Sequence, residues 1–580
     1  MNIKNNLLRA LLLVALMLML VTPAQAYFAP SNGLAASLVL GQPNFTSNTT
    51  NTTQSRMNSP YGVAVDPTTY KVFVADYGNN RVLRFASLFA LTNGASAEAV
   101  LGQPDFTSNA AHATQIGMDG PAGVFVDASG RLWVADFTNN RVLRFDNASK
   151  IASGANANVV LGQPDFTSNI SATTQSGMYS PWGVFVDSGG RLWVAEFGNN
   201  RVLRFDNAAT IASGANADGV LGQPDFTTRD AATTQNEMEN PYGIFVDSSG
   251  RLWVVDCAHS RVLRFDNAAA KLNGANADGV LGQPDFTSGA AATSQSGMSE
   301  PLGVAVDNSS GTLYVADWGN SRVLVFNSTA SLTDGANASY VLGQANFTTG
   351  TSNTGGLSAA TLSFPGSVLF DPVTKVLLTA DSSNARVLMY GKPSHYFSPT
   401  SIAAYDGWVL ESTATSKVGG TLNASGALRV GDDASNRQYR SILYFNTSAL
   451  PDNAVIRSVT LKIFKAAAVG TDPLPLTAFG SLLADIQKGT FGTAALQTTD
   501  FQAKASANAI GHFSSIGSGW YQLVIPASDY KYVNLAGVTQ FRLRFASPSN
   551  NNKVADYDMF GAGDAASAYR PVLTVEYTLP

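Results

Sequence analysis

The sequence predicts an all-β protein in two parts: a six-bladed β-propeller closed by an N-terminal strand, followed by a jelly-roll-like β-sandwich. Three observations predict it. A Pro-x-Gly-Val-x-Val-Asp segment, a Val-Ala-Asp segment and an Asn-x-Arg-Val-Leu segment recur in that order from Pro60, Pro121, Pro181, Pro241, Pro301 and, degraded, Pro365. A short apolar segment before Gly-Gln recurs six times, at Leu38, Ala99, Val159, Gly219, Gly279 and Tyr340. After Tyr390 the period stops and alternating apolar runs of a different texture take over.

Taken in chain order, residues 1–26 carry Lys4 and Arg9, the apolar run Ala10 to Val21 and a small-x-small site ending at Ala26. That layout predicts a secretory signal peptide cleaved near Ala26, and a secreted or cell-surface protein. No later stretch reaches the roughly 18 apolar residues of a membrane span, so none is expected in the mature chain. Cys257 is the one cysteine and stands where other copies have Tyr77, Phe137, Phe197 and Trp318. It reads as an apolar filler, and no disulfide can form within the chain.

Residues 27–391 are the propeller. In one copy Gly183 to Asp187, Arg191 to Ala195 and Arg201 to Phe205 alternate between turns rich in Gly, Ser and Asn. They read as three antiparallel strands. The apolar segment before Gly-Gln supplies a fourth, and four strands make one blade. The first such segment, Leu38 to Gly41, precedes the first three-strand set, and the last set has none after it. The N-terminal strand is therefore expected to complete the sixth blade and close the ring, which protects sheet edges.

These motifs resemble the NHL repeat family over about residues 36–390. Pro60-Tyr-Gly-Val-Ala-Val-Asp66, Val74-Ala-Asp76 and Asn80-Arg81-Val82 carry the resemblance, which implies a propeller fold. The sixth copy departs, with Pro365-Gly-Ser-Val-Leu-Phe-Asp371 and Ala385-Arg386. So does the long stretch after each Gly-Gln, such as Pro164 to Met178. NHL propellers that follow a zinc-binding RING module imply no such module here, because the chain has a single cysteine.

Residues 392–404 are expected to be a linker and 405–580 the sandwich. Runs at Gly407 to Leu410, Ala427 to Val430, Tyr439 to Phe445, Ile456 to Phe464, Trp520 to Ile525, Phe541 to Phe545 and Val572 to Tyr577 read as strands. Leu482 to Ile486 reads as either a helical turn or a strand. Leu428 to Asp432, Tyr439 to Pro451, Ala454 to Ile463 and Tyr569 to Tyr577 resemble the DNRLRE family of extracellular modules over about residues 405–578. That resemblance implies carbohydrate binding or surface attachment and carries over no binding residues.

Charge narrows the partners. Charged residues are 13% of the chain and the net charge is -5, so no basic stripe exists for phosphates and nucleic acid is not expected. The repeated acids Asp76, Asp136, Glu196, Asp256, Asp317 and Asp381 precede Asn-x-Arg turns, where a carboxylate accepts backbone N–H and pairs with the following Arg. They read as blade hardware. The mismatched positions are more informative: Tyr61, Trp182 and Tyr242 between Pro and Gly, and Tyr77, Phe137, Phe197 and Trp318 after the acid. These seven are the candidate ligand-binding residues, since flat rings beside amides suit sugars or peptides. Packing of the loops onto the blades is the equal alternative.

No nucleophile elbow occurs, and only His112 and His259 lie in the ring, too few for a three-histidine zinc centre. No catalytic residue is assigned. Ca2+ is the one cofactor considered, with Glu196 in the propeller and Asp432, Asp433 and Asp564 in the sandwich as candidate ligands, and Asp556 and Asp558 beside them. The sequence thus reads as a secreted, non-enzymatic recognition protein whose partner is a polysaccharide or an extracellular protein. The alternatives are a propeller hydrolase or lyase acting on a polysaccharide or lactone, and a surface-layer or matrix component.

Overall fold

A computed structural model describes residues 29–474 and 479–579. The expected signal peptide lies outside the described residues. The chain divides into two compact units, Tyr27–Pro393 and the part from Ser394 onward.

The first unit is a ring of six four-stranded antiparallel sheets. In the third blade, Pro181–Val186 is the inner strand, followed outward by Leu192–Glu196, Arg201–Phe205 and Gly219–Leu221. The sixth blade takes its outer strand from the N-terminus: Leu38, Val39 and Leu40 pair with Met389, Leu388 and Val387. The expected closure is therefore present.

Each Pro-x-Gly glycine marks where inner strands converge on the ring axis. A Cβ on Gly183 would sit 2.3 Å from the Tyr242 carbonyl, and one on Gly62 2.3 Å from the Ala122 carbonyl. Only a residue without a side chain permits so close an approach. Between blades the apolar faces interlock, as where Trp133, Val184, Val194 and Leu203 share one cluster. The indole N–H groups of Trp133, Trp193 and Trp253 are satisfied by Asp127, Asp187 and Asp247 at 3.0, 3.0 and 3.1 Å.

The second unit is a large antiparallel β-structure around one core. The 15-residue strand Val455–Val469 joins its halves: its first part pairs with Val572–Thr578 and Trp520–Val524, its last part with Asp556–Phe560. Val459, Leu461, Ile463, Leu573 and Val575 pack against Leu443, Phe445, Phe541 and Leu543 in its centre. Leu482–Lys488 is a strand, pairing with Val538–Phe545. Part of the stretch expected to be linker is ordered into this unit: His395–Phe397 pairs with residues 575–577, and Ser401 N–H donates to Pro571.

Candidate functional site

The second strand of every blade ends in a buried carboxylate. In the first blade Asp76 accepts hydrogen bonds from Asn58 N–H (2.6 Å), Asn79 Nδ2 (2.8 Å) and Arg81 Nε (2.7 Å). The rest of the Arg81 guanidinium donates to carbonyls of Thr53 and Arg56 in the loop before the blade and of Phe106 in the loop after it. One ion pair thus clamps two long loops to one blade. The pattern repeats through Arg386, which holds Ser358, Thr361 and, across the closure, Phe45. All six pairs are wholly excluded from solvent. Burial pushes the carboxyl pKa up at Asp76, Glu196, Asp317 and Asp381 and to about 6 at Asp136, against the pull of each arginine.

The loops are tied down again by the glutamine of each Gly-Gln. Gln163 Nε2 donates to Asn140 O and Ile170 O, both at 2.9 Å. An Asx turn follows, and the N–H and hydroxyl donors of Thr107 and Ser108 hold Asp105 down to about 2. These loops lie on the face that carries the turns between second and third strands, since Gly78 N–H donates to Asn58 O and Gly198 N–H to Tyr179 O.

At the centre of that face, six of the seven candidate aromatics form one cluster. Trp182 is its hub: its ring centroid lies 4.6 Å from Tyr242, 4.9 Å from Tyr61, 5.2 Å from Phe137 and 6.1 Å from Tyr77. Phe197 joins through Phe137 and Tyr242 at 5.9 and 5.4 Å. Trp318 stands apart and packs on Phe364 at 4.5 Å, with its indole N–H buried and accepted by nothing. Burial raises the phenol pKa of Tyr61, Tyr77 and Tyr242, so all three remain neutral donors at physiological pH. Beneath the cluster a cavity of about 90 Å³ runs along the ring axis, lined by Tyr61, Trp182, Phe125, Phe185, Phe245 and the inner-strand glycines. It is well below the roughly 300–1,000 Å³ of a typical ligand pocket, which favours the face above it for a sugar or peptide.

The NHL repeat family matches residues 118–145, 178–205 and 298–326, the inner three strands of the second, third and fifth blades. The chain carries NHL repeats. No curated protein matches it. Among solved structures it is similar to a streptogramin B lyase (13% identity, 60% of this chain and 95% of that one, TM-score 0.34). It is also similar to a gluconolactonase from Xanthomonas campestris (18%, 58% and 87%, 0.36) and to virginiamycin B lyase from Staphylococcus aureus (15%, 57% and 95%, 0.33).

Among the six blades the fourth differs most in chemistry. His259 takes the place of the asparagine that donates to the buried acid: its Nδ1 lies 3.0 Å from Asp256 Oδ2, and its Nε2 3.4 Å from Glu239. Glu239 occupies the rim position held by Asn58, Asp119, Tyr179 and Ser299 in other repeats, each of which gives its N–H to the buried carboxylate. Cys257 is buried beside Tyr242, and burial together with the charges of Glu300 and Asp256 pushes its thiol pKa up, so it is no thiolate nucleophile.

Among the described residues no group of three or more His, Cys, Asp or Glu side chains is arranged to hold a metal. Glu196 is engaged by Arg201 (2.5 Å), Tyr179 N–H (2.8 Å) and Asn199 (2.9 Å). Asp433 pairs with Arg437 at 2.6 Å, and Asp564 accepts Gly426 N–H at 2.9 Å. Asp432 instead lies directly across the ladder from Asp556. Sequence reading left the Glu239–His259–Asp256 array unnoticed. The signal was present as the lone histidine in the Asn-x-Arg turn.

Proposed function

We propose that this NHL-repeat propeller is a secreted recognition protein whose loop-bearing face binds a neutral glycan or an extracellular protein, with Trp182 at the centre of contact. The observation that carries the reading is the continuous aromatic cluster at the middle of one face, in which a buried Trp182 holds together the half-buried rings of Tyr61, Tyr77, Phe137, Phe197 and Tyr242, with polar side chains around them. Such a surface supplies flat apolar area with hydrogen-bonding edges. Asp119, Glu239 and Glu300 stand on the same rim, which disfavours acidic polysaccharides. The buried, fully paired acids of the clamps leave the face itself as the variable part. The C-terminal unit, with its DNRLRE-like segments, adds carbohydrate or cell-surface attachment, and two modest sites on one chain gain by avidity. The test is a neutral-glycan and extracellular-protein binding screen of the purified protein beside its Trp182→Ala variant. Binding by the first and not the second supports the reading; equal binding by both overturns it.

A second reading, a propeller hydrolase or lyase, is favoured by the fourth blade. His259 bridges the buried Asp256 through Nδ1 and the rim carboxylate of Glu239 through Nε2, an imidazole–carboxylate pair of the kind used in proton transfer. Turnover of lactone or polysaccharide substrates that disappears in His259→Asn, while the fold is kept, would select it.

A further inference from the structure

We infer that the C-terminal unit binds one Ca2+ ion between Asp432 and Asp556, beneath the loop formed by residues 547–555. The two carboxylates end facing strands, Leu428–Asp432 and Asp556–Phe560, and stand directly opposite each other in the ladder. Both side chains are completely shielded from solvent. Like charges in directly opposed positions repel, and buried charges are normally paired with a cation or a metal.

No cationic side chain forms an ion pair with either acid among the described residues. The neighbouring Lys465 is taken by Asp558 at 2.8 Å and by Asp472. Arg437 is taken by Asp433. Lys465 is shared by Asp472 and Asp558, which leaves the opposed pair Asp432 and Asp556 without a cationic partner among the described residues.

The hydrogen bonding is also incomplete where a cation would sit. Asp556 Oδ1 accepts Thr471 N–H at 2.6 Å, and its Oδ2 accepts the amides of Asn550 and Asn552, each at 2.6 Å. Asp432 Oδ2 has a long contact to Asn550 N–H at 3.3 Å, the Ser549 hydroxyl and the Asp556 N–H also face the carboxylate, and the buried Oδ1 has no hydrogen bond of good geometry. Asn550 bridges the two acids, so the open oxygen lies in the same pocket. Burial, with the charge of Asp556 added, raises the Asp432 pKa. At Asp556 the amide and backbone donors outweigh burial and hold the carboxyl low.

Two carboxylates and the Ser549 hydroxyl close to Asp432 make an all-oxygen set, while the amide oxygens of Asn550 and Asn552 are held by Asn552 and Val554 N–H. Ca2+ takes such ligands, six to eight in number, in flexible geometry and completes them with water. Asn551, Asn552 and Lys553 in the covering loop are exposed and leave a path for the ion.

The test is equilibrium dialysis of the intact protein against Ca2+, with thermal unfolding in Ca2+ and in chelator. One Ca2+ per chain is expected, with a rise of roughly 5–10 °C in the transition of the C-terminal unit at a hundredfold excess over Kd. Asp432→Asn should weaken binding at least about tenfold, yet unfold in chelator at or above the wild-type temperature, because it removes the repulsion. Asp452→Asn, which removes an exposed acid in another turn and leaves the pair intact, should keep the ion. Absence of bound Ca2+ in the wild type, or an undiminished thermal shift in Asp432→Asn, would overturn the assignment.

Discussion

The rings of Tyr61 and Trp182 meet edge-on with centroids 4.9 Å apart, although they belong to the first and third blades. They meet because the second blade has Ala122 at the equivalent position, fully buried and too small to intervene. Trp182 therefore spans the axis and joins four blades into one aromatic surface. Replacing Ala122 with Tyr should push these rings apart and lower ligand affinity without removing any contact residue. A binding titration of Ala122→Tyr beside wild type checks this, and unchanged affinity would count against the cluster as the site.

The loop clamps should be costly to break. Arg201→Met leaves Glu196 buried without its cation, and a buried pair opened on one side costs about 3–5 kcal/mol. Pairing it with Glu196→Gln should recover much of that loss. Denaturant unfolding of the single and double variants measures both numbers, and an additive double variant would refute the clamp.

Steric closure of the axis makes its own prediction. A methyl on Gly183 would lie 2.3 Å from a backbone carbonyl that cannot rotate away. Gly183→Ala should lose about 1–3 kcal/mol, the range for overpacking a tight core. Thermal unfolding reads the loss, and a neutral effect would show that the inner strands can spread.

Asp406 gives the protein a pH dependence opposite to that of a salt-bridged acid. Burial raises it to about 6, even though Tyr444 and Gly563 N–H both donate to it at 2.9 Å. Its folded pKa exceeds the unfolded value of about 3.9, so its contribution is fully present below pH ~4 and is lost as pH rises through ~6. Unfolding free energy of the C-terminal unit should fall between about pH 3 and 7, by about 3 kcal/mol from this group, most of it between about pH 4 and 6. A 13C-detected titration of the Asp406 carboxyl checks the cause directly; a midpoint near 4 would contradict it.

Much of this was legible in the residues. The sixfold spacing dictated the blades, and a carboxylate followed five residues later by arginine was readable as turn hardware because both sit at fixed offsets from the same turn. The contact of Tyr61 with Trp182 was not, since it depends on which blade presents a small residue between them. Asp556–Phe560 escaped notice as a strand because its core-facing positions carry Asp556 and Asp558, which a hydropathy pattern reads as polar. His395–Phe397 hid between Pro393 and Pro399, which look like linker punctuation but here flank a three-residue edge strand.

The most direct test of the account is a comparison of Trp182→Ala and Trp318→Ala in one binding assay against the ligand retained by the wild-type protein. Trp182 lies in the aromatic surface and Trp318 outside it. Trp182→Ala is expected to lose at least about 2 kcal/mol of binding, roughly thirtyfold, while Trp318→Ala stays within a few-fold of wild type. Equal binding by Trp182→Ala and wild type, with the fold confirmed by near-UV circular dichroism, would contradict it.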